Sequence, residues 1–239
     1  MSPNFRCLTL VRCCNTEANG CKVTFVSTQL IGPPPGRRQR NPRGEGARLR
    51  AEILQAASTL LDETGDESAV TLRAIARTAG IAAPSIYTHF PDREAVLDQL
   101  LANGFLELTA ALEAGIAPLA DPVERLYAGC RAYLAFAAER PERYQLIFHQ
   151  FKAKSRQREI DPEARAQGMI ALGLLVQGVA ECAQAGRSAS TDPFADAVSV
   201  WAALHGLATL LANIPQDFPW PDTEDMLNAV VGRIARIGP

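Results

Sequence analysis

Apolar residues recur at helical spacing through most of the chain after residue 46, and proline or glycine interrupts the pattern at intervals. No stretch shows the apolar-polar alternation that is typical of a strand. The pattern therefore predicts an all-α fold of about nine helices. Asp-Pro pairs at 121–122, 161–162 and 192–193 mark three helix starts, because proline fits the first turn and aspartate caps it. The predicted helices span 47–64, 71–79, 82–90, 92–114, 121–140, 141–150, 161–185, 192–213 and 222–237.

Residues 71–90 predict two short helices joined by a tight turn. Thr71 is placed to cap the first helix, and Gly80 can end it in the left-handed conformation. In the second helix Ile86 and Phe90 face inward. The outward side chains are small, polar or aromatic, which suits a helix that enters the major groove of DNA. They are Ser85, Tyr87, Thr88 and His89.

This stretch resembles the DNA-binding domain of the tetracycline-repressor (TetR) family. The shared pattern is the apolar helix 47–61, the Thr-capped helix, Ala-Gly at 79–80, Tyr-x-x-Phe at 87–90 and the acidic-basic pair at 92–93. The resemblance implies a homodimer that binds a near-palindromic operator through groove and backbone contacts by the four outward residues. Phosphate contacts are expected from Arg48, Thr71, Arg73 and Arg93. The second helix carries few strong base-reading side chains, so the operator sequence does not follow from it.

A second match lies far downstream. Trp201 and His205 are four residues apart and share a helix face, and Gly206 admits a close neighbour. This Trp-x-x-x-His-Gly pattern resembles a TetR subset with the same (WHG) motif in its C-terminal domain. We interpret it as close helix packing at the subunit interface, with a hydrogen-bonded core histidine as the alternative. The predicted interface residues are Trp201, Leu204, His205, Leu211, Met226, Val230 and Ile234.

The family resemblance also implies a ligand pocket within the helices of 121–185. An apolar molecule with one or two hydrogen-bonding groups would suit its residues. For each candidate, an ordinary core position is the competing interpretation. The candidates are Tyr127, Cys130, Tyr133, Phe136, Phe148, Met169 and Gln177.

Charge is unevenly distributed along the 239 residues, whose net charge is -2. Residues 1–50 hold nine Lys and Arg against two Asp and Glu, whereas 94–239 hold twelve against eighteen. The Arg-rich arm 36–46 therefore predicts contact with a polyanion, or alternatively a solvated linker. No apolar run reaches the roughly 20 residues that a bilayer crossing requires, and we expect a cytoplasmic protein without a membrane partner.

The chain divides into a predicted extension and basic arm over 1–46, a helix-turn-helix domain over 47–93, and a ligand-binding and dimerisation domain over 94–239. Four of the six cysteines lie in the first 21 residues, at spacings that match no common zinc site. Three interpretations of 1–35 remain open: a disordered extension, a thiol or metal sensor, or a later native start within the first 25 residues or so, near Val23 or Val26.

We expect a sequence-specific DNA-binding regulator, most simply a repressor that a small apolar ligand releases from its operator. Activation instead of repression stays open, as do the effector and the target genes. The sequence contains no Gly-rich phosphate loop, G-x-S-x-G or H-E-x-x-H motif, so we expect no enzyme activity, no cofactor and no metal site. The alternative is a helical interaction protein, or a redox or metal sensor that uses the N-terminal cysteines.

Overall fold

The computed structural model describes residues 46–154, 161–215 and 218–238, with backbone alone for 149–154. The predicted extension, its four cysteines and the basic arm up to residue 45 lie outside the described residues. Within them the fold is all-α, as predicted, and one isolated bridge joins Ser188 to Ile237. The helices are α1 (Gly46–Thr64), α2 (Leu72–Thr78), α3 (Arg93–Ile116), α4 (Pro122–Glu139), α5 (Pro141–Lys154), α6 (Pro162–Gln184), α7 (Pro193–Asn213) and α8 (Thr223–Ile234), with 3₁₀ helices at Glu67–Ala69 and Ala83–Thr88.

Aspartate side chains start most of the long helices. Asp121, Asp161, Asp192 and Asp222 each accept backbone N–H bonds from the first turn of the following helix. Proline occupies the first turn of α4, α6 and α7, where its missing N–H removes no helical bond. These starts confirm the sequence prediction to within a residue or two.

The helix-turn-helix has the predicted turn. Thr71 caps α2 by accepting the Ala74 N–H at 3.2 Å, and Gly80 takes a φ of +65° directly after the helix. The following helix, Ala83–Thr88, is a 3₁₀ helix of six residues rather than the longer helix that the pattern predicted. We call it the reading helix. Its tight geometry still turns Ile86 into the core and leaves Tyr87 outside.

Two hydrophobic cores stabilise the described part of the chain. The first joins α1, α2, the reading helix and the start of α3, and includes Leu100 of α3 and Leu146 of α5. The second begins with Leu101 of α3 and combines α3 to α8, including Ile147 of α5. Helices α3 and α5 therefore each contribute neighbouring residues to both cores.

Three helices have the length and composition that could cross a membrane: α3, α6 and α7. The expectation that no segment is long and apolar enough to cross a bilayer was wrong, because these helices contain isolated polar residues within long apolar stretches. In α3, 56% of the apolar stretch is buried in the protein, against 17% in α6 and 28% in α7. Helices α6 and α7 thus leave apolar surface exposed in the single chain.

Candidate functional site

The reading helix presents the outward side chains that the sequence singled out. Tyr87 is 60% exposed, whereas Ile86 directly before it is fully buried. Thr88 is exposed, but its hydroxyl donates to the Ser85 carbonyl at 2.7 Å and so also stabilises the helix. Ser85 and His89 are half-buried. Tyr87 is therefore the largest side chain that this helix offers to a groove.

Three predicted phosphate-binding residues lie at or near the starts of α1 and α2. Arg73 is exposed on the first turn of α2, two residues after the capping Thr71. Arg48 is exposed on α1 and pairs with Glu52 at 3.1 Å, which is an i,i+4 ion pair of the kind that contributes little to stability. A helix N-terminus carries partial positive charge, so Arg73 and the free amides of α2 together favour an anion.

Arg93 has a structural role that the sequence did not reveal. Its Nε donates to the Val70 carbonyl at 2.8 Å, and its Nη2 donates to the Glu67 carbonyl at 2.5 Å. Ion pairs to Glu67 and Glu94, at 3.3 and 3.2 Å, use the same guanidinium. Arg93 thus fixes the 3₁₀ connector that leads into α2. Its predicted phosphate contact stays a prediction.

A cavity of about 390 Å³ lies among α3, α4 and α6, with contributions from α5 and α7. It extends along α6 from Ala164 to Glu181, a distance of about 25 Å at the helical rise per residue. Most of its wall is aliphatic or aromatic, including Phe105, Leu108, Leu126 and Leu175. Volume and lining are those of a site for an elongated apolar ligand.

Five of the seven predicted ligand residues line this cavity: Cys130, Tyr133, Phe148, Met169 and Gln177. The other two do not line it. Tyr127 is turned toward α8, where its hydroxyl lies 3.4 Å from the Asn228 carbonyl, and Phe136 is buried in the second core. The helical period explains the error, because neighbouring aromatic positions on α4 face different partners.

Three charged residues of the lining, Arg125, Arg165 and Glu181, were missed by the sequence reasoning. Gln177 Nε2 donates to Glu181 Oε1 at 2.8 Å, and Glu181 Oε2 lies 3.3 Å from Arg125 Nη1. Arg125 Nε is buried and has no hydrogen-bond partner among the described residues. The signal was the spacing of Arg125, which lies four residues before Gly129 and eight before Tyr133, on the cavity side of α4.

An aromatic cluster joins the cavity to α7. The Tyr144 hydroxyl lies 3.2 Å from the Tyr133 hydroxyl and 2.6 Å from His205 Nδ1. Phe148 packs on His205 with ring centroids 4.7 Å apart, and Trp201 lies 6.1 Å from Phe148. Burial raises the pKa of Tyr133 and of Tyr144, which keeps both hydroxyls protonated. His205 is therefore hydrogen-bonded and half-buried, and its place at a subunit interface stays a prediction.

Most predicted interface residues lie on the outside of α7 and α8. Trp201 and Leu211 are 37% and 38% exposed, and Met226, Val230 and Ile234 are half-buried. Leu204 is the exception, since it is 2% exposed and faces the interior of the chain's own fold. Leu204 and Trp201 both line the cavity. Part of the α7 face that the sequence assigned to the dimer interface therefore faces the cavity instead.

Helix α5 connects the cavity to the helix-turn-helix. Phe148 lines the cavity, while Leu146 packs in the first core. From the same helix, Arg143 reaches Ser58 and Asp62 of α1, with 3.2 Å between Nη2 and Asp62 Oδ2. Burial raises the pKa of Asp62, and the Arg143 charge opposes that rise. Helix α5 thus contacts both the cavity and the first core.

A metal centre has no support in the described ranges 46–148, 161–215 and 218–238. No group of three or more His, Cys, Asp or Glu side chains comes together there. Cys130 and Cys182 are buried free thiols. The N-terminal cysteines of the alternative sensor hypothesis lie outside this part of the chain.

Two family profiles match the sequence. The profile described as bacterial regulatory proteins, tetR family, matches residues 53–100. The profile described as tetracyclin repressor-like, C-terminal domain, matches residues 126–234. The two matches cover the helix-turn-helix and most of the cavity helices.

The chain is also similar to known proteins in sequence and in structure. The HTH-type transcriptional repressor KstR2 of Mycobacterium tuberculosis (strain ATCC 25618 / H37Rv) is 33% identical over 138 residues, which are 55% of this chain and 67% of KstR2. A protein of unknown function from Rhodococcus sp. RHA1 superposes with a TM-score of 0.69 at 29% identity, covering 82% of this chain and 98% of that one. The regulator FadR from Bacillus subtilis, in complex with stearoyl-CoA, has the same fold at 19% identity and a TM-score of 0.61, covering 77% and 97%. The chain belongs to the TetR family of transcriptional regulators.

Proposed function

We propose that the protein is a transcriptional repressor that binds a near-palindromic operator and leaves it when a small, mainly apolar ligand fills the cavity. The observation that carries the proposal is the exposed Tyr87 on a reading helix that packs against α2, whose capped start bears Arg73. The profile matches and KstR2 support regulation rather than enzyme catalysis. A regulator of this kind works on DNA in the cytoplasm.

The DNA contacts divide by chemistry. Tyr87, with Ser85, Thr88 and His89 beside it, contacts the groove and its edges, whereas Arg48, Thr71, Arg73 and Arg93 contact phosphates. Phosphate contacts position the protein and base contacts specify the sequence. Because the reading helix holds no Arg, Lys, Asn or Gln, DNA shape supplies part of the specificity.

Release of DNA follows from the position of α5. A ligand in the cavity contacts Phe148 of α5 and Tyr133 of α4, and Tyr133 packs against Tyr144 and Phe148 of α5. Displacement of α5 is transmitted to α1 through Arg143 and through Leu146 in the first core. Shifting the protein from 1% to 99% released requires about 5.5 kcal/mol of differential binding between the two conformations.

Homodimerisation uses the outward faces of α7 and α8. Leu210 and Leu211 are exposed side by side on α7, and a Cβ at Gly206 would meet no atom within 4 Å in the protomer. A second copy can therefore approach this surface closely. Two reading helices about 34 Å apart would then match one turn of DNA. The Trp201-His205-Gly206 motif supports membership in the WHG subset, with Trp201 shared between the cavity and this surface.

Selection of bound DNA tests whether the protein is a sequence-specific repressor. DNA recovered by the full-length protein from a random library should converge on a palindrome, and binding to that DNA should weaken steeply with salt. Sedimentation should give a mass of twice 25.8 kDa. Recovery of unrelated sequences with no salt dependence would refute a specific repressor and favour an interaction protein.

A further inference from the structure

The cavity has one end whose polar groups are incompletely paired. Gln177, Glu181 and Arg125 form a connected chain of contacts on facing sides of α6 and α4. The Glu181 carboxylate accepts a hydrogen bond from the Gln177 amide and forms an ion pair with the Arg125 guanidinium. Arg125 Nε is left buried without an acceptor within the described residues. A buried donor without an acceptor is unfavourable, and an oxygen atom from an occupant would satisfy it.

The charges of Arg125 and Glu181 determine whether a carboxylate or an uncharged carbonyl oxygen fits this end of the cavity. Arg125 and Glu181 carry opposite charges 3.3 Å apart, so the pair is close to neutral as seen from the cavity. A carboxylate placed here would face the Glu181 carboxylate as well as Arg125, and the repulsion between the two carboxylates is unfavourable. A carbonyl oxygen accepts the same N–H without bringing a charge.

The remaining cation of the lining lies at the far end. Arg165 is exposed near the start of α6, sixteen residues before Glu181, which is about 24 Å along the helix. It is too distant to change the balance at Arg125. Between the two ends the wall is apolar, with Leu126, Leu175 and Gly178 next to the polar end.

We propose that the effector is an uncharged, mainly apolar molecule that carries a carbonyl oxygen at one end, and that Arg125 binds this oxygen. This inference rests on the proposed function, because it names the ligand class of the same cavity. Glu181 and Gln177 are positioning residues, which hold the guanidinium in the wall.

The test uses a neutral fluorescent probe and three competitors of similar size. The full-length protein is saturated with N-phenyl-1-naphthylamine, and displacement is measured with butylbenzene, butyrophenone and 4-phenylbutanoate. Butylbenzene has no acceptor, butyrophenone adds a carbonyl, and 4-phenylbutanoate adds a carboxylate. Butyrophenone should displace the probe at lower concentration than 4-phenylbutanoate.

Variants assign the effect to the polar end. The double variant Arg125→Met, Glu181→Gln removes the pair without leaving one charge buried. It should weaken butyrophenone about tenfold, the scale of one hydrogen bond to a charged donor, and leave butylbenzene within about twofold. The matched control Arg131→Met, Glu224→Gln removes an Arg-Glu pair of α4 and α8 that does not line the cavity, and should change neither.

The outcomes separate the two proposals. Probe binding with equal losses of butyrophenone and butylbenzene, or with 4-phenylbutanoate as the tightest competitor, would overturn the carbonyl inference while the ligand cavity stands. Absence of probe binding to the folded, DNA-binding protein would overturn both the inference and the ligand-released mechanism. If the double variant does not fold, the order of the three competitors on the wild-type protein decides alone.

Discussion

The Arg143 guanidinium lies 3.2 Å from the Asp62 carboxylate and so ties α5 to α1. Arg143 is only 13% exposed, which limits competition from water. Arg143 also lies five residues before the cavity residue Phe148 on α5. We therefore expect it to carry part of the response to ligand.

Arg143→Met should uncouple ligand from DNA. With any compound that releases the wild-type protein from its operator, the ratio of affinities without and with compound should fall at least fivefold, within the usual range of allosteric couplings. Fluorescence anisotropy on labelled operator measures both affinities. Arg140→Met is the control, since Arg140 pairs with Glu107 of α3 and not with α1. An unchanged ratio in Arg143→Met would exclude this route.

Tyr87→Ala should weaken operator binding by about 1–3 kcal/mol per subunit, on the scale of one specific contact. The side chain is mostly exposed, so the melting temperature should stay the same. Gel-shift titration on the selected operator gives the affinity. Tyr87→Phe separates the hydroxyl from the ring. Full affinity in Tyr87→Ala would show that the reading helix contacts DNA through other residues.

Arg73 and Arg93 should behave differently when replaced by methionine. Loss of the exposed Arg73 should reduce the salt slope of operator binding by about one per subunit without changing the melting temperature. Loss of Arg93 should lower the melting temperature, because two backbone carbonyls, of Val70 and Glu67, lose their donor. Calorimetry and a salt titration test both. Equal melting temperatures for the two variants would contradict the structural role of Arg93.

Ala171→Leu should produce a repressor that no longer responds to ligand. Ala171 lies on the cavity wall of α6 and is nearly buried, so a larger side chain occupies space that a ligand needs. Operator affinity should stay within about twofold, since the first core is untouched. Ala166→Leu places the same side chain on the exposed face of α6. Normal release in Ala171→Leu would place the ligand elsewhere.

Cys130 should resist alkylation at neutral pH. Burial raises the pKa of its thiol from 9.0 to about 12, which leaves roughly a thousandfold less thiolate at any pH below 9. Because the thiolate is the reactive form, iodoacetamide should modify Cys130 far more slowly in the native protein than in 6 M urea. Peptide mapping by mass spectrometry resolves it from the other cysteines. Rapid native labelling of Cys130 would indicate that the cavity opens widely to water.

Local patterns predicted the helices well, and tertiary contacts explain most of the errors. Asp-Pro starts and the Thr71 cap depend on neighbours in sequence, so their positions followed directly. The orientation of Tyr127, Phe136 and Leu204 depends on which helix packs beside each face, and one sequence does not contain that information. Arg125 was overlooked because a charged residue on a helix usually lies in water. The reading helix is a six-residue 3₁₀ helix because only a short segment separates the turn at Gly80 from the buried Phe90.

Adjacent residues of α3, Leu100 and Leu101, belong to different cores, as do Leu146 and Ile147 of α5. This arrangement sets a rule for building chimeric regulators. A join at the predicted 93/94 boundary would transplant a reading unit without Val96, Leu97 and Leu100, and the new protein would have to form a core from mismatched halves. A transplant that carries residues 46–100 together with the donor's residue at position 146 keeps that core whole, so new operator specificity can be combined with the existing ligand response.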